Sequence, residues 1–196
     1  MKKIISTAIL SLVFSAAASA TEFEYKAGAT LSINDMQAST KDLIGSGIEA
    51  NIGGKTGLGF SVFAEAGTKQ KAKEFSVAAG VAYSPKIGEL ASVNYSTYSL
   101  SASLENATSI YLKPSYSVNE DFAAYFKLGK TFADLKAQST VGKQSTGVEL
   151  TLLSVGFEFD LTKKSALQAE YATNFGSKLN SELKTSNVGI AYVYKF

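Results

Sequence analysis

The sequence predicts an all-β fold: an antiparallel up-and-down β-barrel of about ten strands behind a cleavable leader. Three observations lead there. The first twenty residues carry the three-part pattern of an export signal. From Phe23 onward apolar residues recur at period two. Charged or polar residues interrupt every later apolar run before it is long enough to cross a bilayer as a helix.

The leader comes first. Lys2 and Lys3 form a positive start, Ile4 to Phe14 an apolar centre, and Ala18-Ser19-Ala20 a small-residue cleavage site. The apolar centre falls short of the ~20 residues that a transmembrane helix needs. The expected division is 1–20 signal peptide and 21–196 barrel, beginning at Thr21.

The strands follow in order. Phe23, Tyr25, Ala27, Ala29, Leu31 and Ile33 share one face, with Glu24, Lys26, Thr30 and Ser32 on the other. Successive strand side chains point to opposite faces, so this is one apolar and one polar surface. The pattern returns at Ile44–Ile52, at Leu58–Ala66 and at Phe75–Tyr83. It returns again at Ile110–Val118, Phe122–Leu128, Leu153–Leu161, Leu167–Phe175 and Val188–Phe196. The phase flips within 89–104, as a β-bulge would make it, and slips again at Leu152-Leu153. Counted this way the segments are 22–34, 43–53, 58–68, 75–84, 90–101, 109–118, 122–133, 147–161, 165–175 and 186–196. An even count suits a single-chain bacterial barrel. Eight is the alternative count, with the hairpin around 89–118 becoming loop.

Gly53–Gly57, Ser84–Gly88, Asn119–Asp121 and Thr162–Lys164 read as short turns. The longer connections are 35–42, 68–74, 101–109, 134–146 and 176–185. Short turns at one end and longer loops at the other fit a barrel that crosses a membrane, with both termini on the periplasmic side. A soluble sandwich also alternates. Strands of about ten residues, the length that crosses a bilayer at a tilt, favour the membrane. So does the crowded polar face, on which Glu24, Lys26, Glu49, Glu65, Lys113, Lys127, Glu158 and Glu170 form the expected lumen network, with Glu22, Asp160 and Lys195 beside them. With those three included, acidic residues outnumber lysines and the lumen leans acidic.

The chain ends Tyr192-Val-Tyr194-Lys-Phe196, aromatics at alternate positions closing on Phe. This resembles the C-terminal strand signal of bacterial outer-membrane barrels, which the barrel-assembly machinery reads. Val155 to Leu161, a short turn and Leu167 to Tyr171 look like the penultimate hairpin of small barrels similar to OmpX and the OmpA transmembrane domain. The resemblance implies a bacterial outer-membrane location, a monomer, and contact with outer-membrane lipids and lipopolysaccharide. Lys69, Lys71 and Lys73 could meet lipopolysaccharide phosphates as point charges, but a solvated loop face is the favoured reading.

Composition removes most chemistry. There is no Cys and no His, so a thiolate or imidazole nucleophile, base or zinc ligand is excluded. Enzymes on the resembled architecture use a His. Gly54-Lys55-Thr56 has the end of a phosphate-binding loop, but Glu49 stands where its first Gly belongs. Every basic residue is Lys, and the 19, less the two in the leader, balance 17 Asp plus Glu. A neutral chain without Arg lacks the footprint of a nucleic-acid binder. No enzyme activity, cofactor or metal site is expected. Two functions remain: a structural or surface-interaction barrel, or a narrow porin-like channel for small solutes that favours cations. Bulky inward Phe63, Tyr111 and Tyr125 argue for a filled lumen. Inward Gly45, Gly47, Gly59, Gly67, Gly80, Gly129 and Gly156 argue for space.

Overall fold

The computed structural model describes residues 23–40, 50–52, 54–69, 72, 74–95, 98–139, 142–178 and 181–196. The expected signal peptide, and Glu22, Gly45, Gly47 and Glu49, lie outside the described residues. The strands are β1 (Phe23–Thr40), β2 in three collinear pieces (Ala50–Ile52, Gly54–Lys55 and Gly57–Thr68), β3 (Phe75–Tyr95) and β4 (Tyr98–Ser117). Then come β5 (Phe122–Ser139), β6 (Gly142–Thr162), β7 (Ser165–Lys178) and β8 (Ser181–Lys195). Each pairs antiparallel with the next, and β8 returns to β1 from Lys26↔Lys195 to Thr40↔Ser181. The sheet therefore closes into an eight-stranded barrel with no free lateral edge around its base.

Eight is the alternative count, reached by a different route from the one expected. Ala50–Ile52, the described part of segment 43–53, belongs to one wall with segment 58–68, so the described residues 54–57 form no turn between two strands. Ser84–Gly88 lies inside β3. Segment 90–101 is divided between the end of β3 and the start of β4, and the described residues of 89–117 are strand rather than loop. Within 89–104, where the phase flips in sequence, lie the register shift at Leu90/Val93 and the passage from β3 to β4 between the paired Tyr95 and Tyr98; a further shift, at Lys86/Gly88, falls just before that range.

The connections also sort differently. Asn119–Asp121 and Thr162–Lys164 are tight turns at the end that carries both termini. Asn119 Oδ1 accepts from the Asp121 amide at 3.0 Å, and Thr162 Oγ1 from the Lys164 amide at 3.1 Å. Such short side-chain-to-backbone bonds are why Asn and Thr favour turns. Thr68 and Glu74, the ends of the 68–74 connection, lie at this same end, because β2 runs down to the first and β3 runs up from the second. At the other end the strands run on as long hairpins. Most of what reads as loop over 35–42, 101–109, 134–146 and 176–185 is strand.

Outside, an apolar belt circles the barrel: Leu31, Leu58, Val81, Ile110, Leu128, Val155 and Ile190 all point outward and are exposed. Aromatic residues rim it near the termini (Tyr25, Phe75, Tyr116, Tyr194, Phe196) and again further up (Tyr83, Phe132, Phe175). Phe75 packs on Tyr116 at 4.8 Å between ring centroids, and Tyr194 on Phe196 at 5.0 Å. An apolar band between aromatic girdles is the surface a lipid bilayer requires.

Above the belt the polarity inverts. In β6, Leu150 and Leu152 point inward while Leu153 points outward. The ladder runs unbroken through them, Leu152↔Gly129 and Leu153↔Leu128, so the slip in sequence phase is no backbone irregularity. The apolar face has changed sides. In β4 the same change coincides with a real bulge between Glu105 and Thr108, where Asn106 has φ 51°. Asn is among the few side chains that adopt that left-handed conformation readily.

Candidate functional site

The lumen is filled in three layers. The lowest, nearest the termini, is a connected string of ion pairs. Glu24 meets Lys26 at 3.0 Å as an ion pair, although Glu24 Oε2 takes no aligned hydrogen bond. Lys26 Nζ donates to Glu158 at 2.6 Å. Lys113 Nζ donates to Glu158 at 3.0 Å and to Glu65 at 2.9 Å. Lys127 stands 3.9 Å from Glu65 and 2.6 Å from Glu170. Lys195 adds a contact to Glu158 at 3.2 Å and another to Asp160.

These residues come from seven of the eight strands because each takes the inward phase of its own strand. Alternation places them in the lumen, and the stagger of the closed sheet brings them to one depth. Seven residues of the expected network, Glu24, Lys26, Glu65, Lys113, Lys127, Glu158 and Glu170, occupy this string. Glu49 lies outside the described residues. Asp160 and Lys195 extend it, and the described members number five carboxylates against four lysines.

Lys113 is 1 % exposed and Glu158 likewise. A buried charge costs several kcal/mol unless fully paired. Here each has two or more opposite partners, and neutral groups complete them. Gln168 Nε2 donates to Glu158 at 2.9 Å, Tyr111 to Glu65 at 3.0 Å and Tyr125 to Glu170 at 3.0 Å. The ammonium of Lys113 also sits 4.4 Å from the Tyr125 ring centroid, and that of Lys127 4.8 Å from Tyr111.

Of the glycines that argued for space, Gly80, Gly129 and Gly156 face rings instead, as does Gly28; Gly59 meets Asn34, Gly67 meets Ala78, and Gly45 and Gly47 lie outside the described residues. Gly80 and Gly129 flank Tyr111 in register, Gly156 partners Tyr125, and Gly28 partners Phe63. A Cβ on Gly28, Gly80 or Gly156 would lie 2.5 Å from the ring beside it. Each large side chain folds over the bare backbone of its neighbour, a means of packing bulk into a tightly curved sheet.

The middle layer is uncharged. Ser109 and Thr131 hydroxyls meet at 2.8 Å, Thr131 donates to Asn174 at 2.8 Å, and Asn174 donates to Thr185 at 3.1 Å. A cavity of about 100 Å³ lies here, with Lys127 and Glu170 at its floor. The top layer is apolar: Met36, Ile87, Leu104, Val148, Leu150 and Leu183 pack together with Ala107 and Ala133. Sequence reasoning missed this layer. Its signal was present, since Met36 keeps the phase of Lys26, and Leu150 and Leu152 keep that of Glu158.

Lys69 stands at the mouth that carries the termini, where it lines an open cleft with Glu24 and Lys163. Lys71 and Lys73 lie outside the described residues. Lys55 sits in a strand paired with Glu89, not in a phosphate-binding turn. Tyr192, Tyr194 and Phe196 point outward, and the Phe196 amide donates to Tyr25 O at 2.9 Å, fastening the last residue to β1.

A closed barrel with an apolar girdle and a polar, filled interior narrows the identity to one kind of protein. The sequence matches the family model of the outer membrane protein beta-barrel domain over residues 5–196. The chain belongs to that family. This outer-membrane barrel also shares its fold with solved structures. Ail, the attachment invasion locus protein of Yersinia pestis, solved in complex with the heparin analogue sucrose octasulfate, is 15 % identical with a TM-score of 0.51, over 88 % of this chain and 99 % of Ail. Neisserial surface protein A is 14 % identical with a TM-score of 0.51, over 89 % of this chain and 97 % of that one. OprG of Pseudomonas aeruginosa is 12 % identical with a TM-score of 0.50, over 89 % and 95 %. At such identities the likeness is one of fold. No curated protein matches the sequence. The barrel resides in the bacterial outer membrane, as the terminal Phe and the penultimate hairpin led the sequence reading to expect.

Proposed function

We propose that this outer-membrane barrel is a closed, non-enzymatic protein with a structural or surface-interaction role, carried out by its wall and its projecting hairpins. One observation carries the reading: the bore is obstructed twice. The ion-pair string spans it below, from Lys26 on β1 to Glu158 on β6, and the apolar layer of Met36, Leu104, Leu150 and Leu183 fills it above. An eight-stranded barrel has an interior about wide enough for side chains to fill. The near balance of lysines and carboxylates weakens the case for a cation-favouring pore. The absence of His and Cys, together with carboxylates held by lysine, supports a role without catalysis.

In this reading the apolar belt meets outer-membrane lipids, the hairpins face lipopolysaccharide and the medium, and Tyr192, Tyr194 and Phe196 address the chain to the assembly machinery as a monomer. The test is conductance in a planar bilayer, after heat-shifted gel mobility confirms a folded barrel. The expected result is a folded protein that passes no current steps. Discrete steps whose selectivity changes in Glu158→Gln would replace this reading with the channel.

A further inference from the structure

Among the described residues, the widest interrupted seam of the barrel wall within the apolar belt lies between β2 and β3; the β4–β5 ladder skips only Lys113 and Pro114. β2 and β3 pair from Gly67↔Ala78 to Val62↔Tyr83, and again only at Lys55↔Glu89 and Gly54↔Leu90. Between these points Thr56–Ser61 faces Ser84–Gly88 without ladder pairs, while β2 stays paired to β1 up to Gly57↔Asn34. The cause is local. Pro85 has no amide hydrogen to give. The register shift between Lys86 and Gly88 turns β3 into the bore, where Ile87 is buried and Gly88 packs against Met36 of β1. One side chain reaches across: Ser84 Oγ donates to Phe60 O at 2.9 Å.

The seam joins two environments. On its outer side Leu58, 90 % exposed, and Phe60 face the lipid. On its inner side Ser61, Ser84 and Ile87 line the cavity of about 100 Å³ in the middle layer. Asn34 packs directly behind Gly59. Backbone polar groups that face hydrocarbon need a partner, because lipid tails supply none. The cavity that meets them is roomy enough for a few waters or a small polyol. Its polar lining is hydroxyl and amide, and its two charged groups, Lys127 and Glu170, neutralise each other at 2.6 Å.

We propose that this seam binds a single-chain membrane amphiphile with an uncharged, hydroxyl-bearing head. The head enters between β2 and β3 and hydrogen-bonds the open strand edges, Ser84 and Asn34. The chain lies outside along Leu58 and Phe60. Entry is sideways from the bilayer, so the site does not depend on whether the bore conducts.

The protein contains no Trp, so a single introduced Trp is a unique reporter. Leu58→Trp would be refolded into phosphatidylcholine vesicles holding either a brominated monoacylglycerol or a brominated alkane of equal length. Val188→Trp, lipid-facing on β8, is the reference. The expected result is saturable quenching by the monoacylglycerol, several-fold stronger at Leu58→Trp than at Val188→Trp, with no such preference for the alkane. Ser84→Ala should weaken it, and Pro85→Val, which returns an amide to the edge, should weaken it further, both in barrels that keep the heat-shifted mobility. Equal quenching at both positions, no preference for the hydroxyl head, or indifference to both seam variants would overturn the proposal. The seam would then hold water alone.

Discussion

Tyr111 closes over Gly80, its register partner across the β3–β4 ladder, so closely that a Cβ on the glycine would lie 2.5 Å from the ring. The three heavy atoms nearest that point all belong to Tyr111. Gly80→Ala should therefore displace the ring and strain the Glu65 hydrogen bond, costing about 1–3 kcal/mol as overpacking does. Most of the cost should vanish in a Tyr111→Leu background. At Gly156 the Ala169 carbonyl also lies 2.6 Å from the added Cβ, so Tyr125→Leu should rescue Gly156→Ala less well. Urea midpoints of the four pairs, read by gel mobility, decide it. Independent effects at Gly80 and Tyr111 would show that the ring does not depend on the glycine.

Lys113 is the cation shared by Glu65 and Glu158. Lys113→Met leaves two buried carboxylates short of a partner. Removing one member of a buried pair costs roughly 3–5 kcal/mol. The expected outcome is a barrel that still forms but unfolds at markedly lower urea, with part of the loss recovered when Glu65→Gln is added. A wild-type midpoint in the single variant would mean that Lys26 and Lys127 suffice.

Beyond the belt, Lys136 donates to Glu105 at 2.7 Å and Ser103 to the same carboxylate at 2.8 Å. These two hydrogen bonds, Lys136 first, hold the Glu105 carboxyl below its usual range, and Glu105 in turn raises Lys136. A depressed carboxyl contributes stability above its unfolded pKa and loses it as pH falls through the folded value. A raised ammonium contributes below its unfolded pKa and loses it as pH rises through the folded value. The pair thus supports the rim across the neutral range and fades at both acid and alkaline extremes. Exposure to solvent keeps the contribution small. In a carbon-13 titration, Lys136→Gln should move the Glu105 midpoint upward; an unmoved midpoint would refute the assignment.

Membrane-level strands were legible in sequence because lipid outside and a polar lumen inside enforce a strict period of two, as in Leu153 to Leu161. The lumen charges were legible for the same reason. Above the lipid that constraint ends. At Leu150, Leu152 and Leu153 both faces carry leucine, and the alternation is lost although the strand continues. Gly53–Gly57 and Ser84–Pro85–Gly88 carry genuine turn chemistry in sequence, yet the described residues 54–57 and 84–88 serve a wall interruption and a register shift. Which glycine faces which ring, and that Lys113 joins Glu65 to Glu158, depend on register across strands far apart in the chain.

The switch of the leucines from outer to inner face also governs how deep the protein can sit. A slip of two residues along the strands moves it by about 6–7 Å. Outward, that shift lifts Leu128 and Leu153 into the headgroups. Inward, it drags Lys130 and Glu149, an ion pair at 2.9 Å, into hydrocarbon. Either displacement meets opposition, so the barrel strands themselves encode an immersion level.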